Sequence, residues 1–375
     1  MNQDQAKSRR AAGWLAAAVA TAALLVPVSS AGAVSRDFFG VVPAETPGLE
    51  EFQTMGDGRV GTFRFQLSWA DVQPAEGGAF DWSASDAVIG NAAANGIEVL
   101  PFAYGTPGYA GATKRTPPLG SAEDKQGWQD FLAAAAERYG PGGEYWTDPL
   151  LFAAEHPGAD PLPITAWQIS NEQNSPTFYE PKPSVNGYAK LLEISDEALS
   201  SVDPGAEIVL GGMFGTPSPK KSIYAWKYLK RLYEVKSAKR HFDAIALHPY
   251  SPNLDGIEAQ IELAREKVKQ AGGGRPPIWI TEIGWGSAGI KGHALIKSPA
   301  GQKKLLRKSF KLLSKRKRGK WKIRRLLWFA WSDPANPDDS SGTATCMWCG
   351  SAGLFDHELD PKPSWNQFLK FTGGS

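Results

Sequence analysis

A short apolar run followed by an amphipathic stretch recurs eight times along the chain, and no other feature restricts the fold so tightly. The runs cover 38–42, 60–65, 98–102, 165–170, 207–211, 243–247, 277–281 and 326–331. Each is rich in Val, Ile, Leu and aromatic residues and is closed off by Gly, Pro or polar residues. The amphipathic stretches lie near 49–55, 84–95, 122–139, 184–201, 222–235, 255–271, 299–318 and 363–370. Strands separated by helices enter a sheet from one end and pair in parallel. Eight such units closing on themselves make an α/β (β/α)8 TIM barrel, a single domain. An open doubly wound sheet would carry a G-x-G-x-x-G turn after its first strand, which Phe39-Gly-Val-Val-Pro-Ala44 does not supply.

In a barrel every second residue of a strand points inward. Counting back from Glu172 places Ser170, Gln168 and Ala166 on the inner face; from Glu282, the same count selects Ile280 and Ile278. His248 and Tyr250 share a parity with Ala244 and Ala246, Arg64 with Val60 and Thr62, and Trp331 with Leu327 and Phe329. Asn171 has the opposite parity to Glu172 and needs a local bend to turn inward.

The amino terminus reads as an export signal. Ser8-Arg-Arg10 precedes an apolar run from Ala11 to Val28, and Ala31-Gly-Ala33 supplies small residues for cleavage. Residues 1–33 are therefore expected to be a signal peptide, leaving 34–375 as one secreted, extracellular domain. The apolar core of about 18 residues is near the lower limit for a membrane span, and no later segment is apolar enough to span, so no stable membrane insertion is expected once it is removed. The two cysteines, Cys346 and Cys349, form a C-x-x-C. One such pair cannot complete a four-ligand zinc site, and no second Cys or His pair stands at matching spacing. In an exported protein a disulfide that pins a loop is the expected state. A net charge of +2 gives no reason to expect a nucleic-acid partner.

Two strands run into carboxylates at their C-terminal ends: Ile164-Thr-Ala-Trp-Gln-Ile-Ser-Asn-Glu172 and Pro277-Ile-Trp-Ile-Thr-Glu282. A Glu where an apolar strand opens into a loop is costly unless it faces a cleft or a partner. Barrel active sites gather at that end of the strands, so the two face each other across one mouth. Paired carboxyl groups are the requirement for cleaving an acetal: one protonates the leaving oxygen and the other meets the cation-like carbon. Glu172 and Glu282 suit those two tasks if their surroundings keep one protonated and the other ionised.

The supporting residues follow from the same logic. Arg64 is the natural partner of the ionised carboxylate, since a fixed positive charge lowers its pKa, and Tyr250 can donate to the same group. Asn171 offers an amide for a sugar hydroxyl, and His248 can orient the acid or bind a hydroxyl. Trp331 is expected to give a flat apolar face for a sugar ring, with Trp285 and Tyr104 as further walls. No metal and no organic cofactor enter this scheme. The order along the chain carries more weight than any single residue: Arg on strand two, Asn-Glu on four, His-x-Tyr on six, Glu on seven, Trp on eight.

That order, with Trp167-Gln-Ile-Ser-Asn-Glu172, His248-Pro-Tyr250, Trp279-Ile-Thr-Glu-Ile-Gly-Trp285 and Trp328-Phe-Ala-Trp-Ser-Asp333, resembles clan A of the glycoside hydrolases. Family 39, the β-xylosidase-like branch, is the nearest look, with the cellulase-like family 5 second. The resemblance implies a retaining double displacement on a β-glycosidic bond of an oligo- or polysaccharide, with Glu172 as general acid/base and Glu282 as nucleophile. It also implies a non-proline cis peptide after Trp331. The chain itself is expected to act as a monomer. A non-catalytic carbohydrate-binding protein on the same barrel, or a transglycosylase, would carry the same residues.

Two segments are assigned no chemistry. Residues 303–325 hold about a dozen Lys and Arg, but Leu305, Leu306, Phe310 and Leu313 give them an apolar face, as in an outer helix with a solvated basic side. Residues 333–339 (Asp-Pro-Ala-Asn-Pro-Asp-Asp) lack the ligand spacing and central Gly of a calcium loop and read as an ordinary loop.

Overall fold

Eight parallel strands close into a barrel in strict chain order, β1 pairing with both β2 and β8. The computed structural model describes residues 34–290, 292–336 and 346–375. The expected signal peptide, 1–33, and the end of the acidic loop lie outside them. The strands are β1 (Phe39–Val42), β2 (Thr62–Ser68), β3 (Glu98–Tyr104), β4 (Ala166–Asn171), β5 (Glu207–Phe214), β6 (Ile245–His248), β7 (Ile278–Ile283) and β8 (Ile323–Phe329). Eight main helices follow them: α1 (Leu49–Asp57), α2 (Ser83–Ala94), α3 (Ala122–Tyr139), α4 (Val185–Val202), α5 (Ala225–Glu234), α6 (Leu254–Gln270), α7 (Pro299–Lys311) and α8 (Trp365–Thr372). Among the described residues no helix is long and apolar enough to cross a membrane.

Local chemistry sets the helix starts. Ser121 and Asp124 cap α3 reciprocally, at 3.0 and 2.9 Å. Ser184, Asn253 and Ser298 each accept a backbone N–H three residues on, opening α4, α6 and α7, and Pro299 fills the first turn of α7. Each helix then buries one apolar stripe against the barrel; in α4 it is Tyr188, Leu191, Leu192, Ala198 and Leu199.

The barrel's lower interior is filled by Leu100, Val209, Ala244, Ala246 and Trp279, with Ala166 against them. Arg325 lies 5.0 Å over the Trp279 ring and ion-pairs with Glu98 at 2.8 Å. The interior is thus closed below by apolar side chains and this ion pair, and a second polar cluster lies above the plug.

Three expectations need correction. First, β8 begins and ends earlier than 326–331, because the left-handed Lys322 starts it and pairing with β1 stops at Phe329. Second, the inward residues of β7 below its end are Trp279 and Thr281, not Ile278 and Ile280. Ile280 pairs with Leu326 and Ile283 with Trp328, so β7 carries one residue more than β8 over this interval. That bulge lets the consecutive Thr281 and Glu282 face the same side. Third, the non-proline cis peptide is Phe329–Ala330, two residues before the position the resemblance implied.

Candidate active site

Arg64, entirely buried on β2, organises the upper barrel. Its guanidinium lies 4.3 Å over the Phe102 ring and directs three nitrogens at three different acceptors. Nε donates to Gln168 Oε1 at 2.5 Å, Nη1 to Glu282 Oε1 at 2.6 Å, and Nη2 to Asn171 Oδ1 at 2.7 Å. Gln168 is fixed in turn by donating to the Leu210 carbonyl. Asn171 turns inward because Ser170 and Glu172 on either side adopt left-handed backbone, φ 70° and 41°. With its oxygen held by Arg64, the NH2 group of Asn171 is left toward the cleft that it lines.

Glu282 Oε2 accepts from Tyr250 Oη at 2.7 Å, so both oxygens of this carboxylate are held by donors. Glu172 stands opposite with His248 between them. His248 Nδ1 lies 2.8 Å from Glu172 Oε1 and 3.3 Å from Glu282 Oε2, while Nε2 lies 3.0 Å from Thr281 Oγ1. The imidazole fits because residue 212 on β5 is glycine; a Cβ there would overlap its Nε2. Oxygens of Glu172 and Glu282 and the His248 nitrogen all lie within 4.8 Å of one another.

The protonation states diverge. Burial pushes the Glu172 carboxyl well above the usual carboxylate range, the negative charge of Glu282 adds to the rise, and Arg64 opposes it. Burial also raises Glu282, but Arg64 and the Tyr250 hydroxyl both hold it back. The first proton taken up by the pair therefore resides on Glu172. His248 is driven well below its ordinary value by burial and by Arg64, and is neutral. Burial keeps the Tyr250 hydroxyl protonated, as a donor.

A cation placed among Glu172, His248 and Glu282 would have to displace two hydrogen bonds of Glu282 and sit beside a buried guanidinium. This donor set suits a proton-transfer pair better than a metal ion.

The carboxylates open into a cleft of about 880 Å³. Its apolar walls are Phe65, Phe102, Phe178, Phe214, Phe329 and Trp348. Glu172, Glu282, Arg64, Asn171 and Tyr250 line it, and His248 bridges the two acids from beneath. The expected aromatic walls do not. Trp331 packs between Phe355 and Trp365 at 4.5 and 5.4 Å, its indole donating to Glu51 at 2.8 Å. Trp285 packs behind the sheet on Trp328 and donates to the Ser251 carbonyl at 2.7 Å. Tyr104 stays out of the cleft lining and donates to the Phe178 carbonyl at 2.8 Å.

Phe329 and Trp348 take those places. Cys346 and Cys349 are disulfide-bonded, and the loop they close sets Trp348 4.6 Å from Tyr250 and 5.8 Å from Phe329. Sequence reasoning passed over Thr281, Phe102 and Trp348. Only Trp348 left a usable trace, as the aromatic inside the C-x-x-C.

Tyr250→Phe tests the electrostatic reading. Loss of a hydrogen bond to the ionised form raises a carboxyl pKa. The acid limb of the kcat/KM profile is therefore expected to move to higher pH. A charge-assisted bond of about 1.5–3 kcal/mol corresponds to a tenfold to hundredfold fall in kcat/KM at the optimum. An unmoved acid limb would remove Tyr250 from the control of Glu282.

A closed (β/α)8 barrel with two opposed carboxyl groups above its plug has counterparts among known proteins. A family model described as glycosyl hydrolase catalytic core matches residues 181–347. No curated protein sequence matches the chain.

Among solved structures, the chain is similar to a family 39 glycoside hydrolase from the gut symbiont Bacteroides cellulosilyticus WH2. The two share 17% identity with a TM-score of 0.63 over 91% of this chain. The chain spans 64% of that protein's length. A family 39 β-xylosidase from Caulobacter crescentus gives 16% and 0.62, over 92% of this chain and 73% of that one. The intracellular xylanase TsXylA from Thermoanaerobacterium saccharolyticum gives 15% and 0.57, over 88% and 95%. The likeness of fold to these three proteins thus extends over most of the chain.

Proposed function

We propose that this protein is an exported, monomeric, retaining O-glycoside hydrolase acting on β-glycosidic bonds of oligo- or polysaccharides. The observation that carries this reading is one pair of buried carboxyl groups with oxygens no more than 4.8 Å apart, of which Glu282 has both oxygens held by donors. Retaining enzymes hold their carboxyl groups about 5–5.5 Å apart, whereas inverting enzymes need about 6.5–9.5 Å to admit a water.

In the first step a Glu282 oxygen bonds to the anomeric carbon as the bond to the leaving oxygen breaks, and Glu172 gives that oxygen its proton. In the second, Glu172 takes a proton from water, the water oxygen bonds to the same carbon, and the Glu282 ester bond breaks. Asn171 donates to a substrate hydroxyl, and Arg64 and Tyr250 keep Glu282 ionised until it attacks. The size of the open cleft favours an oligosaccharide over a single sugar. Residues 1–33 serve as the export signal in this reading, and the bonded Cys346 and Cys349 suit an oxidising compartment.

The test is hydrolysis of a panel of aryl β-glycosides, xylans, glucans, mannans and galactans, with the anomer first released followed by NMR. The β-anomer is expected to form first. Initial release of the α-anomer would overturn retention, and saccharide binding without any product would establish a binding protein instead.

A further inference from the structure

Residues 303–325 contain thirteen Lys and Arg and no Asp or Glu, while the whole chain is only +2. The remaining residues therefore carry 28 Lys and Arg against 39 Asp and Glu, a formal −11. The segment comprises α7, the turn Leu312–Arg316 and the short helix Arg318–Trp321 that leads into β8. Its apolar side is spent on the barrel through Leu306, Phe310, Leu312 and Leu313. The opposite side exposes Lys304, Lys308, Lys311 and Lys315 in one row of roughly 16 Å at 1.5 Å per residue, flanked by Arg307 and Arg316.

Among the described residues, carboxylates reach only four of the thirteen cations. Glu258 pairs with Lys317, Glu262 with Lys320, Glu207 with Arg324, and Asp37 and Glu98 with Arg325. No ion pair serves the row itself. Like charges three and four residues apart repel and weaken a helix, so packing gives no reason to concentrate them here. None of these residues lines the cleft, and the segment runs down the flank of the barrel to the N-terminal ends of the strands. The large exposed hydrophobic side chains lie elsewhere, at Leu49, Leu150, Tyr224, Ile290, Met347 and Leu359. The ridge thus has no apolar anchor for a bilayer and no aromatic platform for unstacked bases.

We infer that this ridge docks an acidic polysaccharide by charge alone, holding the molecule on a glycan matrix with its cleft directed away from the attachment face. The choice of a glycan among polyanions rests on the saccharide-cleaving reading of the cleft. The positive row itself does not.

The experiment compares the full chain with its Lys304→Gln, Lys308→Gln, Lys311→Gln, Lys315→Gln quadruple variant on immobilised heparin and polygalacturonate at about 0.15 M salt. The parent is expected to be retained and to elute as salt rises. The variant is expected to bind at least tenfold more weakly, with an unchanged thermal transition and unchanged turnover of a small aryl glycoside. Equal elution of parent and variant would overturn the proposal. So would tighter binding of the parent to duplex DNA or to phosphatidylglycerol vesicles than to either polysaccharide. Failure of the parent to cleave any glycoside would sink the reading of the cleft, while the elution data would still decide the ridge.

Discussion

Glu282→Ala is expected to lower kcat by on the order of 10⁵-fold, the scale on which removing a covalent nucleophile acts. Glu172→Gln should behave differently. A general acid contributes about 10²–10⁴-fold, and its loss is felt in proportion to how much the leaving group needs a proton. With a dinitrophenyl leaving group the first step should proceed nearly normally in Glu172→Gln and fail in Glu282→Ala. With a natural saccharide both variants should be nearly inactive.

The pH behaviour separates the two roles further. Glu172 has a raised folded pKa, so its contribution to stability is fully present below the ordinary carboxylate range and is lost as pH rises through the folded value. The Gln variant does not titrate. It should lose the alkaline limb of the rate profile and resist denaturant better than the parent at alkaline pH. Near-normal turnover of natural saccharide by either variant would refute the assignment.

Arg64→Met is expected to cost about 3–5 kcal/mol of stability at neutral pH, because removing one partner of a buried ion pair strands the other. Three acceptors lose their donor at once: Gln168, Asn171 and Glu282. Glu282, freed of the cation, rises further above the carboxylate range. Its penalty is then absent below about pH 4 and grows as pH rises through the new folded value. The deficit should therefore shrink in acid, measured by denaturant titration at pH 4 and pH 7. Arg64→Lys should not rescue it, since one ammonium cannot reach three acceptors set around a planar fork. A deficit that is small and independent of pH would show that Glu282 does not depend on Arg64.

The barrel was legible because its signal is collective. Eight alternations survive errors of a few residues at strand ends, as at β8, where the run 326–331 became Ile323–Phe329. The polar cluster was legible for a similar reason: Arg64, Asn171, Glu172, His248, Tyr250 and Glu282 combine charge or hydrogen-bonding capacity with positions at strand ends, and the structure brings all six together.

The aromatic walls were not legible, because a Trp beside a strand end reads the same whether it faces a sugar or a helix. Trp331 and Trp285 found buried partners in Glu51 and Ser251. Trp348 reached the cleft through a chain path that no alternation rule describes, while Phe329 sits on the parity counted as inward but bears no polar group to single it out. The parity count also failed in β7, where the rule assumes an unbroken pleat.

That break in the pleat reaches beyond bookkeeping. By presenting Thr281 and Glu282 to the same side, β7 grips the neutral imidazole from beneath and supplies the Glu282 carboxylate from adjacent positions. Shortening the chain by one residue between Ile280 and Ile283 would restore the regular strand. If Thr281 is the residue lost, Glu282 drops into its inward place one step lower and the imidazole loses its support. If Glu282 is lost, the carboxylate opposite Glu172 goes with it and the barrel remains. Descendants of this fold can thus lose their chemistry by one codon without losing their shape.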